Sequence, residues 1–404
     1  MQGCLKGFAV TIMALLVAIF AFAAGFGLSA LYGTPAGGQP SIPVPINVFN
    51  QTPPSEFGVF WESWNIIQKE FYGKIPDSKQ MTYAAIRGAI KALNDPHTVF
   101  LEPRSTERES EQLRGDFEGI GAYISFEKDQ FVITAPIAGS PAEKAGIQAG
   151  DIILKVDDKD VRGLALEDVV ALIRGPRGTK VKLTLLRLGK SDSLVLEVTR
   201  DTIKLPSVIW RMQENDIGYV RLTIFGEKSK DEIVNAINDL KNKGAKTLIF
   251  DLRNNPGGYL NSAIDVASLF IKDGVVAYER GKDGKEKEFK ASGNGVWTDL
   301  PLVILVDKGS ASASEIVAGA VQDRKRGALI GDTSFGKGSV QSVHQLSDKS
   351  SIHVTIAEWL TPNKTQITGK GLTPDMSIPI SPEDQQRGND TQLQAAIQYL
   401  KEKK

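Results

Sequence analysis

The chain has 404 residues, 41% hydrophobic and 24% charged, with 48 basic and 48 acidic side chains. That length and balance support two or three buried cores, and they exclude wholesale disorder and a nucleic-acid partner, which a basic chain would signal. One cysteine, Cys4, excludes an internal disulfide, and three scattered histidines, His97, His344 and His353, form no Cys/His cluster for zinc.

Gly7 to Tyr32 carries no charge. About 20 apolar residues span a bilayer as a helix, whereas the apolar region of a cleaved signal peptide is about 7–15 residues long. The length favours a transmembrane signal-anchor over residues 1–32; "AFA" at Ala21–Ala23 offers the alternative of cleavage. Lys6 marks the short end as cytoplasmic. The expected location is therefore the cell membrane, single-pass, with the bulk of the chain extracytoplasmic, or secreted or periplasmic after cleavage. Residues 33–55, rich in Pro and Gly, read as a tether.

Residues 56–114 read as helical. Phe60, Trp64, Ile67 and Phe71 recur at helical spacing, as do Tyr83, Ile86, Ile90 and Leu93, and Pro96 ends the second run. Arg104 to Arg114 is a charged stretch, a solvated helix or a linker. Residues 115–202 change texture: "FEGIGAYISFEKDQFVITAP", "GDIILKVDD", "TKVKLTLLR" and "SLVLEVTR" alternate like strands, with short helices at "SPAEKAG" and "LEDVVALIRG". Over residues 203–380 strands alternate with helices, an α/β pattern that places sites at strand ends. Residues 381–404 end in an amphipathic helix. The fold class is α/β within a multidomain α+β chain.

The chemistry centres on "GSASASEIVAGAVQD", Gly309–Asp323. Ser312-x-x-Glu315 is a capping box. A hydroxyl at a helix start also has backbone N–H groups beside it that can hold an oxyanion. Pattern alone does not choose among Ser310, Ser312 and Ser314. A reacting serine needs a base, and none of the histidines has a convincing setting. Lys337, flanked by Gly336 and Gly338, is the other candidate, since glycine permits close backbone approach. To be neutral near pH 7 its pKa must fall by roughly 3 units, about 4 kcal/mol, which burial can supply. Gln341, four residues on, lies on the same face and can hold the amine without adding charge. Gly331–Lys337 also fits G-x-x-x-x-G-K, but Gly338 stands where Ser or Thr should be and strand-like sequence follows, so nucleotide binding is rejected. "RNNPGG", Arg253–Gly258, is a turn or a second source of oxyanion N–H groups. Gly119, Ile120 and Gly121 form a turn before a strand, or a nest for a peptide carboxylate with an adjoining strand edge.

In order along the chain, "LNDPHTVFL", "FEGIGAYI", "SPAEKAGIQAGDIILKVD", "IRGPRGT", "DLRNNPGG", "GSASASEIVAGAVQD", "FGKGSVQ" and "WLTPNKTQITGKGLTPD" resemble the carboxyl-terminal processing peptidases, or tail-specific proteases. The likeness runs from about Phe57 to the end. It implies a PDZ domain over 115–202 that binds C-terminal tails at Gly119, Ile120 and Gly121, and a serine endopeptidase domain over 203–380. It further implies Ser312 as nucleophile, Lys337 as general base and Gln341 as the residue that positions the lysine. The oxyanion hole would be the N–H groups of Ala313 and Gly258, with Gly257 the alternative. An acyl-enzyme, no metal or cofactor, partly unfolded exported substrates and dimerisation through the N-terminal helices complete the expectation. Arg174 resembles a residue that couples the two domains; a cation favoured at a helix C-terminus is its other reading. A non-catalytic PDZ scaffold is the alternative function, and the glycine-flanked lysine argues against it.

Overall fold

A computed structural model describes residues 55–403, apart from 191 and 215. The expected membrane segment and almost all of the tether lie outside those residues; among those described, no helix is long and apolar enough to cross a membrane. The described chain divides after Asp77 into two units.

The first unit holds helix α1 (Phe57–Glu70), at the spacing the sequence predicts. None of its residues is buried, and Phe57, Trp61 and Ile66 are exposed.

The second unit opens with α2 (Ser78–Lys91), β1 (Val99–Leu101) and α3 (Pro103–Arg114). The charged stretch is thus a helix. Pro103 sits in its first turn and Gly115, at φ 72°, closes it, the Pro-start and Gly-stop asymmetry of helix ends. The next module comprises β2 (Asp116–Gly119), β3 (Ala122–Glu127), β4 (Gln130–Pro136), α4 (Pro141–Lys144), β5 (Ile152–Val156), β6 (Lys159–Asp160), α5 (Leu166–Ile173), β7 (Lys180–Leu186), β8 (Leu194–Thr199) and β9 (Asp201–Lys204). Its main sheet runs β3-β4-β5-β7-β8, with β6 on β5, and β2 pairs β9. In β7 the alternation works as a strand requires: Val181, Leu183 and Leu185 point into a core with Ile133, Val156 and Val169.

The remaining elements are β10 (Val208–Met212), β11 (Ile217–Leu222), α6 (Ser229–Asn242), β12 (Thr247–Asp251), α7 (Leu260–Phe270), β13 (Val275–Gly281), β14 (Glu286–Lys290), β15 (Leu302–Val306), α8 (Ala313–Asp323), β16 (Ala328–Gly331), β17 (Ser339–Gln345), β18 (Ser351–Leu360), β19 (Met376–Ser377), α9 (Pro382–Arg387) and α10 (Thr391–Glu402). One sheet has the order β10-β11-β12-β15-β16-β19, parallel except for β10. Strands β12 and β15 are buried at every residue because both faces are covered. Residues of α6, α7 and α8 pack on one face, while Ala396 and Leu400 of α10 pack on the other with Ile249, Val303 and Leu305. The chain therefore leaves β12, β15 and β16 at one edge of the sheet, which sets the loops 252–259, 307–312 and 332–338 side by side. A second sheet runs β1-β18-β13-β14, with β17 on β18. Here β1 is a strand within a region read as helical, pairing Val99 with His353. That Lys337 leads into β17 rather than a helix agrees with the rejection of a phosphate-binding loop.

Phe250, fully buried in β12, packs against Phe270 with the rings tilted and their centroids 5.0 Å apart. Phe250→Ala is expected to cost about 3–5 kcal/mol in urea denaturation. Tyr72→Ala, at a fully exposed side chain, is expected to change stability by no more than about 0.5 kcal/mol.

Candidate active site

The loop after β15 separates the three serines. Ser310 and Ser314 are completely buried and hydrogen-bonded within the fold: Ser310 Oγ donates to Leu252 O at 2.8 Å and Ser314 Oγ to Asn255 O at 2.9 Å. Ser312 alone of the three keeps surface exposure. It is the N-cap of α8; the Glu315 half of the capping box is formed, its carboxylate accepting the Ser312 N–H, while the Ser312 hydroxyl makes no cap hydrogen bond. Its backbone, at φ 54° and ψ −112°, lies where a non-glycine residue costs of order 1–3 kcal/mol, and it persists only if the surroundings enforce it. They do: Ala311 N–H donates to Asn255 O at 3.0 Å, Ser312 N–H donates to Glu315 Oε2 at 2.8 Å, and Phe335 N–H donates to Ser310 O at 3.0 Å.

The loop after β12 lies against this turn. A Cβ on Gly257 would come within 2.9 Å of Ser312 Cβ and 3.1 Å of Ala313 N; one on Gly258 would meet Phe225 O at 2.3 Å. Both glycines have positive φ, so these two positions admit nothing larger. Gly257 N–H donates to Asn255 Oδ1 at 2.9 Å. Among the described residues, the N–H groups of Gly258 and Ala313 donate to no protein group. Of the two glycines that the sequence offers as candidates, Gly257 therefore has its N–H engaged by a side chain. Arg253 fixes the start of the loop, bonded to Asp251 at 2.6 Å and to Asp390, the N-cap of α10, at 2.7 Å; Tyr219 OH also donates to Asp251, at 2.7 Å.

The loop after β16 brings Lys337. Its N–H donates to Glu315 Oε2 at 2.9 Å, Gly336 N–H and Ser334 Oγ donate to Glu315 Oε1 at 2.7 and 2.6 Å, and the Glu315 side chain is fully buried. One carboxylate therefore ties the Ser312 turn to the Lys337 loop. Burial lowers the Lys337 pKa below its ordinary value, while the charges of Glu109 and Glu315 act in the opposite sense. Gln341 is on β17 as its spacing implies, but its Nε2 donates to His97 O rather than contacting the lysine. None of the three histidines is bonded to Ser312: His97 belongs to the turn at Asp95, His344 Nε2 lies 3.0 Å from Ser342 Oγ, and buried His353 pairs with Glu109 at 3.2 Å.

In the strand-rich module, Ile120 is buried and its O accepts from Ala142 N–H at 2.8 Å, while Gly121 O accepts from Ser140 Oγ at 2.9 Å. Gly121 has φ 75°, and a Cβ there would lie 2.5 Å from Ser140 Cβ. The N–H groups of Ile120 and Gly121 donate to no protein group among the described residues. Arg174, the C-cap of α5, pairs with Glu111 of α3 and lies over the Phe117 ring, 4.6 Å from its centroid. Sequence reasoning did not single out Glu109, Glu111 or Asn255, and it saw in Glu315 only a cap. The one available signal was Glu315 itself, an acidic residue on a helix whose neighbours are all apolar or small.

Glu315→Ala would leave the donors of Ser312, Ser334, Gly336 and Lys337 without their acceptor. A loss of at least about 3 kcal/mol is expected in urea denaturation, with a smaller loss in Glu315→Gln, which retains one acceptor oxygen.

The family model for peptidase family S41 matches residues 216–378, and that for a PDZ domain matches residues 132–187. The chain is 40% identical over 323 residues to the carboxy-terminal processing protease CtpA of Bacillus subtilis (strain 168), covering 80% of this chain and 69% of that one. It is 37% identical over 348 residues to the carboxyl-terminal-processing protease of Synechocystis sp. (strain ATCC 27184 / PCC 6803 / Kazusa), covering 84% and 81%. A crystal structure of a putative S41 protease from Bacteroides fragilis NCTC 9343 shares the fold, with a TM-score of 0.52 at 15% identity over 88% of this chain and all of that one. Loops gathered at the ends of a parallel sheet, a strand-rich module of PDZ type and identities of this extent lead to one conclusion: the chain belongs to the carboxy-terminal processing proteases of peptidase family S41, serine-type hydrolases with a PDZ domain.

Proposed function

We propose that the protein is a serine endopeptidase in which Ser312 attacks and Lys337 takes the proton, cleaving partly unfolded exported proteins presented by their C-terminal tails to the PDZ domain. One observation carries this reading. The accessible serine of the three precedes the unengaged N–H of Ala313 and packs against Gly257, whose neighbour Gly258 also has an unengaged N–H, and the same buried carboxylate holds both the serine turn and the lysine loop.

The neutral Lys337 amine accepts the Ser312 hydroxyl proton as Oγ attacks the scissile carbonyl. The resulting oxyanion is held by the N–H groups of Ala313 and Gly258, donors already oriented by the backbone. The Lys337 ammonium then protonates the leaving amine. Water, deprotonated by the same lysine, hydrolyses the acyl-enzyme and returns the serine. Gln341, anchored through its Nε2 to His97, would have to turn its free amide oxygen toward the lysine amine to hold it without adding charge. Ile120 and Gly121 N–H groups suit a tail carboxylate, with β3 as the edge that receives an extended peptide. Residues 1–32 would anchor the enzyme with its catalytic part outside the cytoplasm, and the uncovered apolar residues of α1 suit a dimer contact. Arg174 would couple tail binding to the site through Glu111.

Degradation of casein by wild type, Ser312→Ala and Lys337→Ala provides the test: an active wild type with two inert variants is expected, and equal activity in all three overturns the proposal. Because Lys337 must be neutral to act, activity is expected to rise with pH through its pKa. Burial places that limb below the ordinary lysine value of 10.5. Arg174→Ala is expected to lose stimulation by tail peptide; unchanged regulation overturns its coupling role.

A further inference from the structure

The run "LNDPHTVFL" lies between α2 and β1, far along the chain from the serine and lysine loops. Its turn nevertheless grips a residue of the proposed machinery, because Gln341 Nε2 donates to His97 O.

Asp95 builds that turn. Its Oδ1 accepts from His97 N–H at 3.0 Å, an Asx-turn, and its Oδ2 accepts from Thr98 N–H at 3.1 Å and from Thr98 Oγ1 at 2.6 Å. Pro96 restricts the backbone between them. Thr98 is buried, and its hydroxyl accepts from Thr355 N–H of β18 at 3.1 Å. The chain then enters β1, where Val99 pairs with His353. The turn is thus fastened to β18, the strand that also carries β17 and Gln341.

Gln341 stands at an irregularity of the β17–β18 ladder. Val340 faces Ala357 and Gln341 faces Thr355, so Ile356 has no opposite residue. A bulge of this kind bends the ladder and re-aims side chains. At this step the Gln341 amide meets the His97 carbonyl. A carbonyl only accepts, so it selects the amino end of the amide; no protein group among the described residues donates to Gln341 Oε1. The choice of end matters to a lysine base. An amide oxygen accepts an N–H of the amine and leaves the nitrogen lone pair for the serine proton. A reversed amide would donate to that lone pair and occupy it.

We propose that Asp95 is a positioning residue for the reaction: through the His97 carbonyl it fixes which end of the Gln341 amide is offered to Lys337. This rests on Lys337 being the general base and Gln341 its partner. Asp95 acts by holding a backbone carbonyl in place, not by its own charge.

The test is kcat and KM for fluorescein-labelled casein, using the full chain, for wild type, Asp95→Ala, Gln341→Ala and the double variant. Asp95→Ala is expected to lower kcat about tenfold, part of the roughly 10²–10⁴ that a positioned base contributes, with KM within about twofold of wild type. Because Asp95 acts through Gln341, the double variant should be no slower than Gln341→Ala. A double variant in which the two losses multiply overturns the inference, and so does an Asp95→Ala enzyme with wild-type kcat. Thr98→Val, which removes two bonds of the same turn, goes through the same cycle with the same criteria, so the test stands even if thermal unfolding shows Asp95→Ala to be misfolded. Activity in Lys337→Ala, or wild-type kcat in Gln341→Ala, would sink the assignment of the base and its partner, and the role of Asp95 with it. An inert Lys337→Ala and a slow Gln341→Ala, with losses that multiply, would sink only the role of Asp95.

Discussion

The buried Glu315 carboxylate is the interaction on which the site depends. It stands in the first turn of α8, where the helix dipole favours an anion and unpaired N–H groups need acceptors. From there it accepts the Ser312 N–H on its own side and the N–H groups of Gly336 and Lys337 from the loop after β16. A buried charge is tolerable only when its lone pairs are satisfied, and here Ser334 supplies the remaining donor. The need to satisfy one carboxylate thereby fixes the separation of two loops and helps hold Ser312 in a backbone conformation it would not adopt alone.

The parallel sheet explains why those loops meet. Strands β12, β15 and β16 are neighbours that all run the same way, so their C-terminal ends share an edge. Each delivers a different part: glycine N–H groups after β12, a hydroxyl after β15 and an amine after β16. The glycine loop is anchored at its base by Arg253 between Asp251 and Asp390, a link that draws the C-terminal helix into support of the site. The amine meets opposing influences, since burial disfavours its charge while nearby carboxylates favour it.

Much of this was legible in the residues. Period-2 runs such as "TKVKLTLLR" and all-apolar runs such as "PLVILV" became strands because burial on one face or two leaves no other pattern stable. The Ser312–Glu315 box is local, three residues apart, and local chemistry reads directly from order along the chain. Lys337 stood out because glycines on both sides are unusual for a solvated lysine. The charged run before the PDZ domain showed less, because its residues are almost all charged or polar and offer no row of apolar side chains to read; only Pro103 and Gly115 mark its ends.

By itself, the sequence determined the α/β class, the strands and helices, the family motifs, the serine cluster and the lysine, since each depends on neighbours within a few positions. Only the tertiary structure decided which serine hydroxyl stays free, since Ser310 and Ser314 find acceptors at Leu252 and Asn255, on a loop more than fifty residues earlier. It likewise decided that the Gly257 N–H is engaged while that of Gly258 is not, that Gln341 reaches His97, and that Glu109 meets His353. The reason is physical: hydrogen-bond partners and charge neighbours are set by which strand ends the sheet brings together, and that order is not written in any one segment.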